Sequence, residues 1–223
     1  MTPVSVDPEL RGRVRLGLLV LDNVAVREAD ADLDAEVGAC CRELRERYGA
    51  LRSAEVPGAA DARELYKALG LDPTKTRPSS EALLRRALKG EALYRVNTLV
   101  DALNLCSLRA QLPFGLYDLE QVEPPIVLRR GRAGEAYEGI RKGAVNVDGR
   151  PVLVDAQGPF GNPSSDSART MIRPGTRHAL VTVYAPAAYS PARLAGVLDA
   201  TEETLRRFAG GQTVERGMLP DAP

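Results

Sequence analysis

An α+β protein is expected here. Helical spacings of three and four govern the chain from residue 31 to 110, strand-like runs crowd 125–186, and a helical stretch follows residue 190. In order, the segments read β, α, α, α, α, β, β, β, β, α. A chain of 223 residues buries one substantial core. Its 44% apolar and 27% charged residues are the ordinary balance of a globular protein.

Residues 14–21, "VRLGLLVL", begin by alternating and become continuously apolar, as a buried strand does. Leu33, Val37, Cys40, Leu44 and Tyr48 then fall on one face of a helix over 31–48. The small-residue linker "SAEVPGAAD" leads into a second helix, "ARELYKALG", with Gly70 placed as a C-terminal cap. "DPTKTRPSSEALLRRALKG" (72–90) gives a rigid turn and a helix with Ser79 or Ser80 as N-cap, Leu84, Ala87 and Leu88 on its buried side, and Gly90 as stop. Glu81 suits the positive end of that helix and forms an i,i+4 pair with Arg85. Residues 95–110 repeat the helical spacing through Val96, Val100, Leu103 and Ser107.

After Pro113 the pattern changes. "PIVLRR" (125–130), "AYEGIR" (136–141) and "VNVDGRPVLVD" (145–155) read as strands, and Asp148-Gly149 between alternating apolar residues signals a hairpin. "AQGPFGNPSSDSART" reads as a long Gly/Pro/Ser loop of the functional or disordered kind. "HALVTVYAP" (178–186) closes the strands. A last helix over 190–208 has Ser190 as cap, Pro191 in the first turn, and Leu194, Leu198, Leu205 and Phe208 on one face. Glycines 210 and 211 end it, and 211–223 is expected to fray as a flexible tail. The organisation is thus an N-terminal strand–helix segment (1–55) packed on the same core as a main domain over 56–210.

Several chemistries are excluded. No apolar run approaches the length needed to span a bilayer, and the N-terminus lacks a secretory pattern. Three cysteines, two adjacent, make a poor disulfide framework and suggest a reducing cytoplasm; Cys40 and Cys41 read as small core residues. His178 is the one histidine, and no CxxC or carboxylate cluster accompanies it, so neither a metal nor a cofactor is expected. It heads a strand and reads as a core-edge or surface residue. "GPFGN" lacks the strand and helix context of a phosphate loop or dinucleotide fingerprint, and no Gly-x-Ser-x-Gly elbow occurs.

Two regions remain. The chain has zero net charge and a pI near 6.6. Yet residues 72–90 set Lys75, Arg77, Arg85, Arg86 and Lys89 against Asp72 and Glu81. This is an anion-attracting loop and helix start, or a solvated helix surface. The second region is 158–170, where Asn162, Ser164, Ser165, Asp166, Arg169 and Thr170 place hydrogen-bonding groups on a glycine-bearing loop, or on a plain surface turn.

From about 62 to 182 the order of motifs resembles a known family. "YKALGLDPTKTRPSSEALLRRALKG", "VNTLVDALNLCSLRAQLPFGLYDLEQV", "IVLRRGRAGEAYEGI" and "GPFGNPSSDSART" are similar to the tRNA-binding and editing module of the bacterial phenylalanyl-tRNA synthetase beta subunit, the B3/B4 domain, in free-standing form. The resemblance implies a mixed sheet packed against helices around a central pocket, in which water attack without a metal hydrolyses mischarged tRNA. It implies pocket positions at Asn97, Gly115, Gly158, Phe160, Gly161, Asn162, Ser164, Asp166 and Thr170, and a tRNA-binding rim at Lys75, Arg77, Ser79, Arg85 and Arg86. Gly115 stands where the synthetases carry a histidine, and Asn162-Pro163-Ser164 where they carry a glutamate. The expected function is a cytoplasmic trans-acting editing factor acting on aminoacyl-tRNA. The alternatives are a tRNA- or RNA-binding module without chemistry, or a small-molecule binder that uses the amino-acid pocket.

Overall fold

The structure, a computed structural model, describes residues 3–220. Two antiparallel-rich sheets lie face to face, and helices cover the outer side of one of them. The four-stranded sheet runs in the order β11 (Gln212–Leu219), β2 (Val14–Asp22), β10 (Ala179–Pro186), β3 (Phe114–Asp118), all antiparallel. The five-stranded sheet runs β1 (Val4–Val6), β4 (Ile126–Arg130), β7 (Pro151–Asp155), β8 (Gly158–Asn162), β9 (Ser165–Asp166), and only the β1–β4 pair is parallel. A separate ribbon pairs β5 (Ala136–Glu138) with β6 (Ala144–Asn146).

The continuous apolar run of β2 is explained by burial on both faces. Leu19 and Leu21 point into a core shared with α1 (Ala31–Tyr48), α3 (Ser79–Leu88), α4 (Thr98–Ala110) and α5 (Pro191–Ala209). Leu16, Leu18 and Val20 point the other way, onto the five-stranded sheet and α2 (Ala59–Ala68). Strand side chains alternate between faces, so a strand sandwiched in this way loses its polar positions. The first fifty-five residues therefore contribute to both cores.

Helix ends follow local chemistry. Asp30 accepts the Leu33 amide, Asn97 the Val100 amide, and Ser190 the Arg193 amide, each as an N-cap. Gly70, at φ +81°, ends α2 while the Leu71 amide reaches back to the Tyr66 carbonyl.

Several segments differ from expectation. Residues 212–219 form β11 on the outer side of β2, because β2 would otherwise leave its edge groups unpaired; residues 221–223 of the expected tail lie outside the described residues. The Asp148-Gly149 turn exists, with Gly149 at φ +65° and an Arg150-to-Val147 hydrogen bond. No hairpin grows from it: β6 leaves to pair with β5, and β7 lies between β4 and β8. The expected loop over 156–170 contains β8 and β9, with Phe160 and Thr170 fully buried. Ser79 and Ser80 do not cap α3; their hydroxyls donate to the carbonyls of Pro163 and Gln111. Glu81 pairs with Arg63 at 2.8 Å rather than with Arg85.

Candidate functional site

Two clusters meet at the start of α3. The first is built on α3 itself. Its buried face, Leu84 and Ala87, anchors it in the helical core. That leaves Arg77, Arg85 and Lys89 exposed on the other side, with Lys75 in the preceding turn. Glu81 is 3% exposed and accepts hydrogen bonds from Arg63 at 2.8 Å and Ser53 at 3.0 Å, with Arg77 at 3.7 Å. Its negative charge is thereby used mainly inside the fold, and of the exposed cations of this face it meets Arg77.

Two cavities flank this face. One, of about 480 Å³, is lined by Arg52, Arg63, Arg77, Arg85 and Lys89 against the single carboxylate of Glu81. The other, of about 340 Å³, presents Arg77, Arg85, Arg86 and Lys89 against Glu91, together with Leu83 and Tyr94. Arg86 is largely committed: it donates to the Ala92 carbonyl, lies 4.3 Å from the Tyr94 ring centre and pairs with Glu91 at 3.2 Å. Lys89 stands 3.9 Å from Glu91. Arg85 has no acidic partner among the described residues. The face is cationic because its acids are either buried or already engaged.

The second cluster surrounds the β8–β9 turn. Asn162 Oδ1 accepts the amides of Ser164 and Ser165 at 2.8 and 3.0 Å, which closes the turn, while its Nδ2 donates to the Tyr137 hydroxyl at 2.8 Å. Tyr66 of α2 donates to the Pro163 carbonyl at 2.8 Å and lies 2.9 Å from the Ser164 hydroxyl. Ser79 Oγ donates to the same carbonyl at 3.0 Å. Ser79 is two residues beyond Arg77, so the cationic face and the turn, about eighty residues apart in sequence, adjoin in the fold.

Behind the turn the interior is filled by aromatic rings. Tyr117, Tyr184 and Phe160 are fully buried; Tyr117 and Phe160 pack edge to face with centroids 4.9 Å apart. Gly115 and Gly161 are glycines because any Cβ there would collide with Tyr117. The Tyr117 side chain fills the space between these two glycines. Asp166 lies beside it. One of its carboxylate oxygens is buried without a partner, as is the hydroxyl of Thr182. Burial raises the Asp166 carboxyl to about 7, against the pull of the Tyr117 hydroxyl, the Leu116 amide and Lys142. Burial likewise raises the Tyr117, Tyr137 and Tyr184 phenols, which stay neutral.

The other expected positions distribute as follows. Gly115, Phe160, Gly161, Asn162, Ser164 and Asp166 gather at this cluster. Thr170 is fully buried, 3.1 Å from the Ser167 hydroxyl, in the segment whose backbone bonds β3. Gly158 opens β8 at φ +120° with no neighbouring atom near its Cβ direction. Asn97 does not join them: it caps α4, whose first turn is tied to Arg27 in the helical layer. Arg169 bonds Asp155 with both terminal nitrogens at 2.9 Å, its guanidinium 5.7 Å from the Phe160 ring centre. Pattern reading did not single out Tyr66, Tyr117, Tyr137, Tyr184 or Thr182, whose roles are set by contacts across the sheets. The glycines facing Tyr117 were the available signal. Among the described residues no group of three His, Cys, Asp or Glu could hold a metal ion, and no helix is long and apolar enough to cross a membrane.

Residues 61–218, from α2 through β11, match the family described as the B3/4 domain. The chain belongs to the B3/4 domain family. Among solved structures, this B3/4 protein is similar to an N-terminal fragment of the phenylalanyl-tRNA synthetase beta subunit from Pyrococcus horikoshii, at 13% identity and a TM-score of 0.49. The alignment covers 99% of this chain and 55% of that one, so the chain spans about half the length of the fragment. No curated protein matches it. The β8–β9 cluster and α3 lie within the matched B3/4 region, while Arg52 and Ser53, which line the cavity beside α3, precede it.

Proposed function

We propose that this B3/4 protein binds tRNA through the cationic face of α3. The supporting observation is the pair of cavities flanking that helix, which share Arg77, Arg85 and Lys89: five cations line one cavity against Glu81 and four line the other against Glu91, and Arg85 has no acidic partner among the described residues. Phosphate contacts need exposed cations and little shape, and a local patch suffices on a chain of zero net charge. The test is the salt dependence of tRNA binding. Replacing Arg77, Arg85 and Lys89 with Ala should weaken binding and lower the slope of log K against log salt by about 0.7 for each phosphate no longer neutralised. Equal slopes for the two proteins would remove the reading.

A second reading, hydrolysis of a mischarged aminoacyl-tRNA in trans, draws on Asp166. Its half-neutral carboxyl and unpartnered oxygen suit a base that takes a proton from water as that water attacks an ester carbonyl, the proton then passing to the leaving ribose oxygen. In this reading the Tyr117 ring must swing aside to admit the aminoacyl group. A panel of mischarged tRNAs held with catalytic amounts of protein tests it. Release above the uncatalysed rate, abolished by Asp166→Asn, is expected; no release from any tRNA leaves binding alone.

A further inference from the structure

The groove on the Tyr94 side of α3 combines charge with an exposed ring. Tyr94 is 65% exposed, unlike the buried tyrosines of the sheet interior. Such exposure would ordinarily leave a ring free to rotate, but this one is fixed. The Arg86 guanidinium lies 4.3 Å from its centre and donates to its hydroxyl at 3.1 Å. Arg86 is itself locked by two bonds to the Ala92 carbonyl and an ion pair with Glu91. Ala82 and Leu83 line the same groove, giving it an apolar floor, and its volume of about 340 Å³ is that of a small-molecule site. Arg77, Arg85 and Lys89 line both this groove and the larger cavity across the helix, so cations run over α3 from one to the other.

We propose that Tyr94 is a stacking platform for an unpaired nucleobase, and that the phosphates of a single-stranded RNA end cross α3 over Arg85 and Lys89. This rests on RNA being the ligand of the cationic face. An acidic peptide would use the cations but has no need of a rigid, exposed aromatic ring. Along a duplex the base faces are already stacked, and only the paired bases at a blunt end are open on one side. A single-stranded end supplies both a planar base and closely spaced phosphates. The platform therefore selects unpaired ends over helical stems.

The experiment uses the full chain and two RNA hairpins with the same stem, one blunt and one with a short 3′ overhang ending in 2-aminopurine. Tyr94 is exposed, so Tyr94→Ala and Tyr94→Phe are expected to fold, which melting curves verify. Wild type and Tyr94→Phe should quench the 2-aminopurine. Tyr94→Ala should lose the quenching and bind the overhang RNA about ten-fold more weakly, while binding the blunt hairpin as wild type does. Unchanged overhang binding by Tyr94→Ala, or equal binding of both hairpins by wild type, overturns the stacking proposal and leaves the tRNA reading standing. No salt-sensitive binding of either RNA overturns both. A polyglutamate peptide that competes equally with the overhang RNA, in a manner dependent on Tyr94, also overturns it.

Discussion

Replacing Asp166 with Asn should stabilise the protein above neutral pH and do little in acid. The folded carboxyl titrates near 7 against an ordinary value of 3.8. Below about pH 4 it is protonated in both folded and unfolded chains, and costs nothing. Between pH 4 and 7 the unfolded chain releases its proton while the folded one retains it, so folding becomes less favourable as pH rises, and the loss levels off above 7. Raising a carboxyl that far corresponds to about 4 kcal/mol at most. Asp166 is only half-buried as a residue, although one carboxylate oxygen is sealed. Discounting for solvent screening leaves about 2–3 kcal/mol. Urea unfolding of both proteins at pH 4, 6 and 8 measures this directly, because every other titrating group cancels in the difference. The Asn variant should gain on wild type by about that amount between pH 4 and 8. A gap that does not change with pH would show that folding leaves the Asp166 carboxyl unshifted, and one that favours wild type as pH rises would show that it is ionised and partnered in the folded state.

Glu81→Ala should destabilise by about 2–4 kcal/mol in urea unfolding, since it strands Arg63, Ser53 and Arg77 around an empty buried position. Gly161→Ala should cost about 1–3 kcal/mol by driving a methyl group into Tyr117, and Tyr117→Leu in the same chain should recover part of it. Tyr66→Phe removes the bonds to Pro163 and Ser164 and should cost about 1–2 kcal/mol, with faster amide exchange at the β8–β9 turn. Cys40 and Cys106, both raised by burial to about 11, should react with a thiol reagent at pH 8 only on unfolding.

Much of this fold was legible because local chemistry decided it. The cap at Ser190, the Gly70 stop, the apolar run of β2 and the helical face of α1 each follow from residues within a few positions of one another. What escaped was set at long range. "GPFGNPSSDSART" has the composition of a loop, yet its second glycine is dictated by a tyrosine more than forty residues away. Glu81 and Arg85 had the right spacing for a pair, but a buried carboxylate gains more from Arg63 and Ser53, brought from other segments. The cationic face was readable from charge counting, and its meeting with the 163–164 turn rests on two hydroxyls that no periodicity marks. Asn97 was placed with the pocket by the resemblance; what the fold shows of its side chain is the cap it gives to α4.

The position of β11 bears on how the protein can be handled. A version ending at Gly210 would strip the outer neighbour from β2 and bare the largely apolar stretch from Leu16 to Asp22, with hydrogen-bonding groups ready to recruit another molecule. Such a shortened protein should clump where the longer one stays dispersed. The natural outer strand is better suited to meet solvent: Gln212, Thr213, Glu215 and Arg216 interrupt its apolar character, and an irregular register between Thr213 and Glu215 spoils it as a template. Its few residues act as a selvedge, keeping the weave from unravelling into its neighbours.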